Sequence, residues 1–263
     1  MSRLILAELL KVRTTRLWWG LLLAVVGLTL VGVVANAVIA GMEISGQAAG
    51  SLDDPATIRR IYTAGVGTTY LFTLALGVIS MAGEFRHQTI TATLLATPRR
   101  TPVVPAKAVC LLIVGFGYGL VSVLLGVLVG APIVALRGGH ARLLGDGVPR
   151  AIVLAAVAVA LWGLIGLGVG TLIRNQIIAL LTAIGVAFLA EPLLSLVLNA
   201  VHAGRFAQYL PTQATAALTS PAPAAGGLTT MYLPWWAGGL VLLAYAVIFG
   251  TVGAVITLRR DVT

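Results

Sequence analysis

The sequence predicts an all-α polytopic membrane protein, and three observations carry that prediction. Hydrophobic residues make up 59% of the 263 and charged residues only 10%, against about 25% charged in an average soluble protein. Six apolar runs each reach the roughly 20 residues that a helix needs to cross a hydrocarbon core of about 30 Å; they cover residues 17–41, 62–82, 108–136, 151–173, 177–198 and 233–258. Only one charged side chain, Glu191, falls within any of them. Backbone groups in lipid have no water to bond, so such runs must be helices rather than open strands. The chain reads as a single transmembrane domain over 1–263 with an interfacial segment at 1–16.

Before the first run, LILAELLKVRTTR can form a helix lying at the membrane surface. Ile5, Leu9 and Val12 share one face, while Glu8, Lys11 and Thr15 share another. A plain extension of the first span fits the pattern equally well, because Leu4 and Arg13 blur the two faces. The first run ends near Ala35-Asn36-Ala37, which looks like a cleavage site, but its apolar stretch exceeds the 7 to 15 residues of a signal core, which favours a retained span.

Orientation follows from the basic residues. With the N-terminus cytoplasmic, Arg3, Lys11, Arg13, Arg16, Arg86, Arg99, Arg100, Lys107, Arg174, Arg259 and Arg260 lie inside, and Arg59, Arg60, Arg137, Arg142, Arg150 and Arg205 outside. Eleven against six places both termini inside under the positive-inside rule. Trp18-Trp19 and Trp235-Trp236 then anchor opposite interfaces. The net charge of +9 therefore reads as topology; no basic stripe interleaved with aromatics points to nucleic acid.

The remaining composition narrows the chemistry. A single cysteine, Cys110, excludes a disulfide framework or a thiolate metal site within one copy. His87, His140 and His202 fall in three separate loops, so no metal site is expected. The only lysines, Lys11 and Lys107, sit outside any GxxxxGK sequence, so the chain has no phosphate-cradling Walker loop. No HExxH and no Ser, His and Asp constellation within the spans marks it as an enzyme. The spacings Gly115/Gly119, Gly126/Gly130 and Gly166/Gly170 allow close helix contact, within the bundle or across a dimer seam.

Two polar features interrupt the apolar pattern. Glu191, followed by Pro192, costs about 2.5 to 3.5 kcal/mol to insert on translocon scales and so needs compensation. It either marks a substrate or proton path, or caps amides freed where Pro192 breaks the helix. The second feature is GEFRHQTITATLLATPRR at 83–100, between the second and third spans. Pro98 stops a helix near Thr97. A strand would leave unpaired edges, so a short surface helix is the better physical reading. Arg86, Arg99 and Arg100 suit an anionic lipid surface, whereas Glu84, the threonines, Ile90 and Leu94 suit a protein partner.

AELLKVRTTR (7–16), MAGEFRHQTITATLLATPRR (81–100), QYLPTQATAAL (208–218) and LRRDVT at the end together resemble the membrane subunits of bacterial ATP-binding cassette (ABC) exporters of the type-2 permease family. The resemblance spans the whole chain and is most specific in the GEFR stretch. It implies a six-span permease of the bacterial inner membrane, paired with a second permease copy or close relative and with separate ABC ATPase subunits that hold ATP and Mg; this chain itself carries no cofactor. It further implies an N-terminal elbow helix over Leu4 to Arg16, with Glu8, Lys11 and Arg13, and a cytoplasmic coupling helix over Gly83 to Thr97. There Glu84 and Arg86 would make polar contacts to the ATPase, Phe85, Ile90 and Leu94 apolar ones, and Gly83 and Thr89 complete the contact. Segments between spans five and six would be re-entrant. Two alternatives belong to other classes: a proton-coupled carrier centred on Glu191, and a membrane scaffold or immunity protein.

Overall fold

The computed structural model describes residues 2–44, 47–48, 50–86, 88, 103–145, 147–173, 175–219 and 233–259, with residues 2, 3, 43, 44, 47, 48 and 254–259 as backbone only. Over these residues the chain is helical apart from a two-residue antiparallel ladder, Glu43–Ile44 with Gln47–Ala48. The helices are α1 (Ser2–Thr14), α2 (Leu17–Ile39), α3 (Pro55–Tyr62), α4 (Val66–Arg86), α5 (Val103–Leu136), α6 (Val148–Leu172), α7 (Gln176–Ala200), α8 (Pro211–Thr219) and α9 (Trp235–Arg259). Six have the length and apolarity to cross a membrane: α2, α3 with α4, α5, α6, α7 and α9. The chain is a multi-pass membrane protein, and its six apolar helices fit a membrane transport protein in general.

The span α6 is the hub. Of its apolar window 67% is buried, against 22% for each of α2, α7 and α9. A peripheral helix can leave leucines such as Leu23 and Leu181 exposed because lipid is as apolar as they are. Packing around α6 relies on missing side chains. A Cβ on Gly166 would lie 2.1 Å from the Leu74 carbonyl oxygen, and one on Gly119 would lie 2.6 Å from the Ala156 Cα. Gly170 faces Val78 in the same way, and away from α6 Gly126 of α5 faces Tyr62 of α3. The small-residue spacings therefore serve contacts within the bundle.

Two ends of the bundle are tied separately. At one, Arg137 reaches back and its Nη1 donates to the carbonyls of Ala37, Val38 and Ala40, satisfying acceptors left over at the end of α2. The same end holds α3, which the polar look of residues 42–61 conceals. Asp54 caps it through the Ala56 amide, Pro55 starts it, and Ile58, Ile61 and Tyr62 bury one face completely beside Val33, Val134 and Val148. Trp18 and Trp19 start α2, while Trp235 starts α9 at the opposite end with the Arg150 guanidinium 5.6 Å from its ring centre.

Boundaries shift by a few residues from those expected. The second membrane helix continues to Arg86, so Gly83, Glu84, Phe85 and Arg86 form its last turn rather than a separate surface helix. The third begins at Val103, not residue 108, and runs for 34 residues, about 51 Å at 1.5 Å per residue, longer than the hydrocarbon core. Residues 89–102 lie outside the described residues, and with them Thr89, Ile90, Leu94 and the remainder of the expected coupling helix. The same holds for His87 and for residues 220–232.

Candidate functional site: a buried ionic joint

Four charged side chains from three helices meet at the end of the bundle next to residues 87–102. Glu8 and Lys11 lie one turn apart on α1, Glu84 lies in the last turn of α4, and Lys107 lies in the second turn of α5. The Lys107 Nζ donates to Glu8 Oε2 at 2.5 Å and to Glu84 Oε1 at 2.8 Å. The Lys11 Nζ donates to Glu8 Oε1 at 2.7 Å and to Glu84 Oε1 at 3.0 Å. Each lysine thus bridges both glutamates, and the group has no net charge.

Burial is deep for three of the four. Side-chain exposure is 3% for Lys107, 8% for Glu84 and 11% for Glu8, but 49% for Lys11. Taking a single such charge out of water costs several kcal/mol, and only partners of opposite sign at hydrogen-bond distance offset it. The ring therefore holds together as a unit: losing any one buried member leaves another uncompensated. One lone acceptor remains, since Glu84 Oε2 is buried without a hydrogen-bond partner among the described residues.

Within α1, Glu8 is buried against α5, Ile5, Leu9 and Val12 beside it are half-buried, and Lys11, Thr15, Leu6 and Leu10 are exposed. Buried countercharges explain the position of Glu8, which Lys107 compensates better than water or lipid headgroups would, and exposed leucines cost little where lipid is the solvent. Arg13 stays exposed and outside the joint; its carbonyl accepts from the Trp18 indole at 3.1 Å.

Acidity follows from this geometry. Burial by itself would raise the Glu8 carboxyl, but Lys107 and then Lys11 outweigh it and hold Glu8 below its ordinary value. Burial would likewise lower the Lys11 ammonium, yet its bonds to Glu8 and Glu84 push it above its ordinary value. A lowered carboxylate contributes stability that is complete above its unfolded pKa of about 4.3 and lost as pH falls through the folded one; a raised ammonium contributes below about 10.4 and loses it above. Protection of α1 from protease should therefore be constant between those limits and be lost beyond them, on the acid side as Glu8 protonates and on the alkaline side as Lys11 deprotonates. Limited proteolysis across pH, with an acid-stable protease, checks it.

The other residues expected at a partner surface divide. Glu84 has its carboxylate buried and bonded to Lys11 and Lys107. Phe85 is half-buried against Met81, Leu111 and Leu167, which leaves little of it for a partner. Arg86 is exposed, donates to Gln176 Oε1 at 3.3 Å, and with Phe85, Asn175 and Ile177 lines a cleft of about 540 Å³ on the same end. Asn175 also caps α7 by accepting from the amides of Ile177 and Ile178. Gly83 is partly covered, and a Cβ on it would make ordinary contact with Ile79 Cγ2 at 4.0 Å.

Glu191 and Pro192 lie elsewhere, within α7. Pro192 has no N–H and crowds the carbonyl four residues back; the helix accommodates it through a π-helical turn at Val186–Ala190 rather than breaking. Glu191 Oε2 instead accepts from the Thr212 amide at 2.9 Å and from the Thr212 hydroxyl at 2.8 Å. It caps the start of α8, a different helix, which docks on α6 and α9 with Ala214 and Leu218 buried and the Trp162 indole donating to Thr215.

Lys107, which lies just outside the third apolar run in the sequence, is the most deeply buried member of the joint. A signal was present: a lysine flanked by Pro105-Ala106 and Ala108-Val109 at the mouth of an apolar run has few water-facing positions and calls for an acidic partner. No protein-family model matches the chain, and no curated protein matches it.

Proposed function

We propose that this chain is the permease subunit of an ABC exporter of the type-2 class, seated in a bacterial inner membrane with both termini cytoplasmic. Its partners are separate ATPase subunits, which bind ATP and Mg, and a second permease copy or close relative. The observation that carries this reading is the ionic joint. Residues 87–102 connect α4 to α5, and the joint locks the adjoining ends of those two helices to each other and to α1.

A push delivered to that connection meets a rigid triad instead of two helices free to splay. Motion of α4 is passed to α6, because Gly77 and Gly166 bring the two backbones close enough that one helix cannot slide without the other. Force applied at one end thereby reaches the hub and the helices around it, as a two-state rearrangement of packed elements requires. The absence of a phosphate-cradling loop from the sequence fits a motor supplied by another chain.

The test uses the connection and leaves the joint intact. The tagged protein, purified from its native membrane in mild detergent, is expected to bring down a protein with Walker motifs. Replacing residues 89–100 by a Gly-Ser linker of equal length is expected to remove that companion while the permease itself still purifies folded. A companion retained by the linker variant, or no ATPase with the unaltered chain, overturns the proposal.

A further inference from the structure

A cavity of about 350 Å³ lies inside the single chain, among α4, α6, α7, α8 and α9. Its volume is in the range of small-molecule sites. Aliphatic side chains such as Leu74, Ile165 and Val186 form part of the wall, and three aromatic rings, Trp162, Tyr245 and Phe249, form another. Among the described residues, Glu191 is the only carboxylate facing it, and no lysine, arginine or histidine lines it.

The charge of Glu191 is only partly compensated by its hydrogen bonds. The residue is 6% exposed, and both of its hydrogen bonds end on Oε2. Its second oxygen, Oε1, makes none among the described residues. Capping α8 needs one oxygen, whereas the carboxylate brings two and a full charge into an apolar, membrane-embedded wall. A positive centre would satisfy Oε1 and the charge together, and the aromatic rings beside it attract cations by their quadrupoles.

We propose that this cavity binds a hydrophobic organic cation: an amine or ammonium with an aromatic or alkyl body. The positive centre lies at Glu191 Oε1 and the body between Trp162, Tyr245 and Phe249. Anions are repelled, and an uncharged molecule of the same shape gains only the apolar contact. The inference goes beyond the coupling reading and does not rest on it, because the cavity belongs to one chain and needs no partner to form.

The test is photolabelling of the full-length protein in lipid nanodiscs with 4-(dimethylaminomethyl)benzophenone, compared with 4-isobutylbenzophenone, which has the same outline and no charge. Sites of attachment are read by mass spectrometry. The amine is expected to label cavity residues, and Glu191→Gln to reduce that labelling by about tenfold, the scale of a lost desolvated cation contact. The uncharged analogue is expected to label both proteins equally. Glutamine keeps an oxygen for the Thr212 bonds, so α8 remains capped. Ala187→Leu, which intrudes on the cavity and leaves Glu191 in place, is a second variant expected to abolish cavity labelling. Equal amine labelling of the unaltered and Glu191→Gln proteins, or attachment confined to lipid-facing residues such as Phe188, overturns the inference. Neither result alters recovery of the ATPase companion, so the two proposals fail separately.

Discussion

Lys107→Met is expected to cost on the order of 3–5 kcal/mol, the usual penalty for removing one partner from a buried ion pair. The methionine fills the space of the lysine stem, so the loss is electrostatic. Glu8 and Glu84 are then left facing each other with only the half-exposed Lys11 between them. Lys11→Met is expected to cost far less, because water already screens that ammonium. The decisive comparison is the double variant Lys107→Met with Glu8→Gln. It deletes one charge of each sign, leaves Lys11 paired with Glu84, and should recover much of the lost thermal stability in detergent. A Lys107→Met protein as stable as the unaltered one, or a double variant worse than the sum of its parts, would show that the four groups do not act as a unit.

The second large effect is expected at Gly166. Its Cβ position lies 2.1 Å from the Leu74 carbonyl oxygen, and the facing Gly77 position lies 2.2 Å from the Gly163 carbonyl oxygen. Neither obstacle is a flexible side chain; both are helix backbone. Gly166→Ala must push α4 away from α6 along their most intimate contact, and overpacking of this kind costs about 1–3 kcal/mol or more. Gly27→Ala is the control. A Cβ there meets nothing within 4 Å, and alanine is the better helix former by roughly 0.8–1.0 kcal/mol. The two substitutions should move the melting temperature in opposite directions, and a Gly166→Ala protein that matches Gly27→Ala would refute the close-contact account.

Both predictions concern features that were only partly readable before the fold was known. Gly166 and Gly170 announced a close contact by their spacing, but not against which helix. Glu191 announced a compensated charge; its partner proved to be an amide 21 residues away, at the start of a helix that the Pro and Gly of the following segment obscured. Glu8 falls, on periodicity alone, on the polar face of α1. It is buried because a countercharge from residue 107 waits there, and no pattern within residues 2–14 encodes it. The helix α3 was legible in hindsight from Asp54-Pro55 and the i, i+3, i+4 spacing of Ile58, Ile61 and Tyr62, but polar neighbours masked it.

What the sequence determined by itself was the membrane class, the number of crossings and the all-helical architecture. Each rests on short-range physics: an apolar run in lipid has to satisfy its own backbone hydrogen bonds, whatever lies beside it. Only the tertiary structure decided which charges are neighbours. A buried ion is tolerable or ruinous according to groups that are near in space and distant along the chain, and the ring of Glu8, Lys11, Glu84 and Lys107 joins residues up to 99 positions apart.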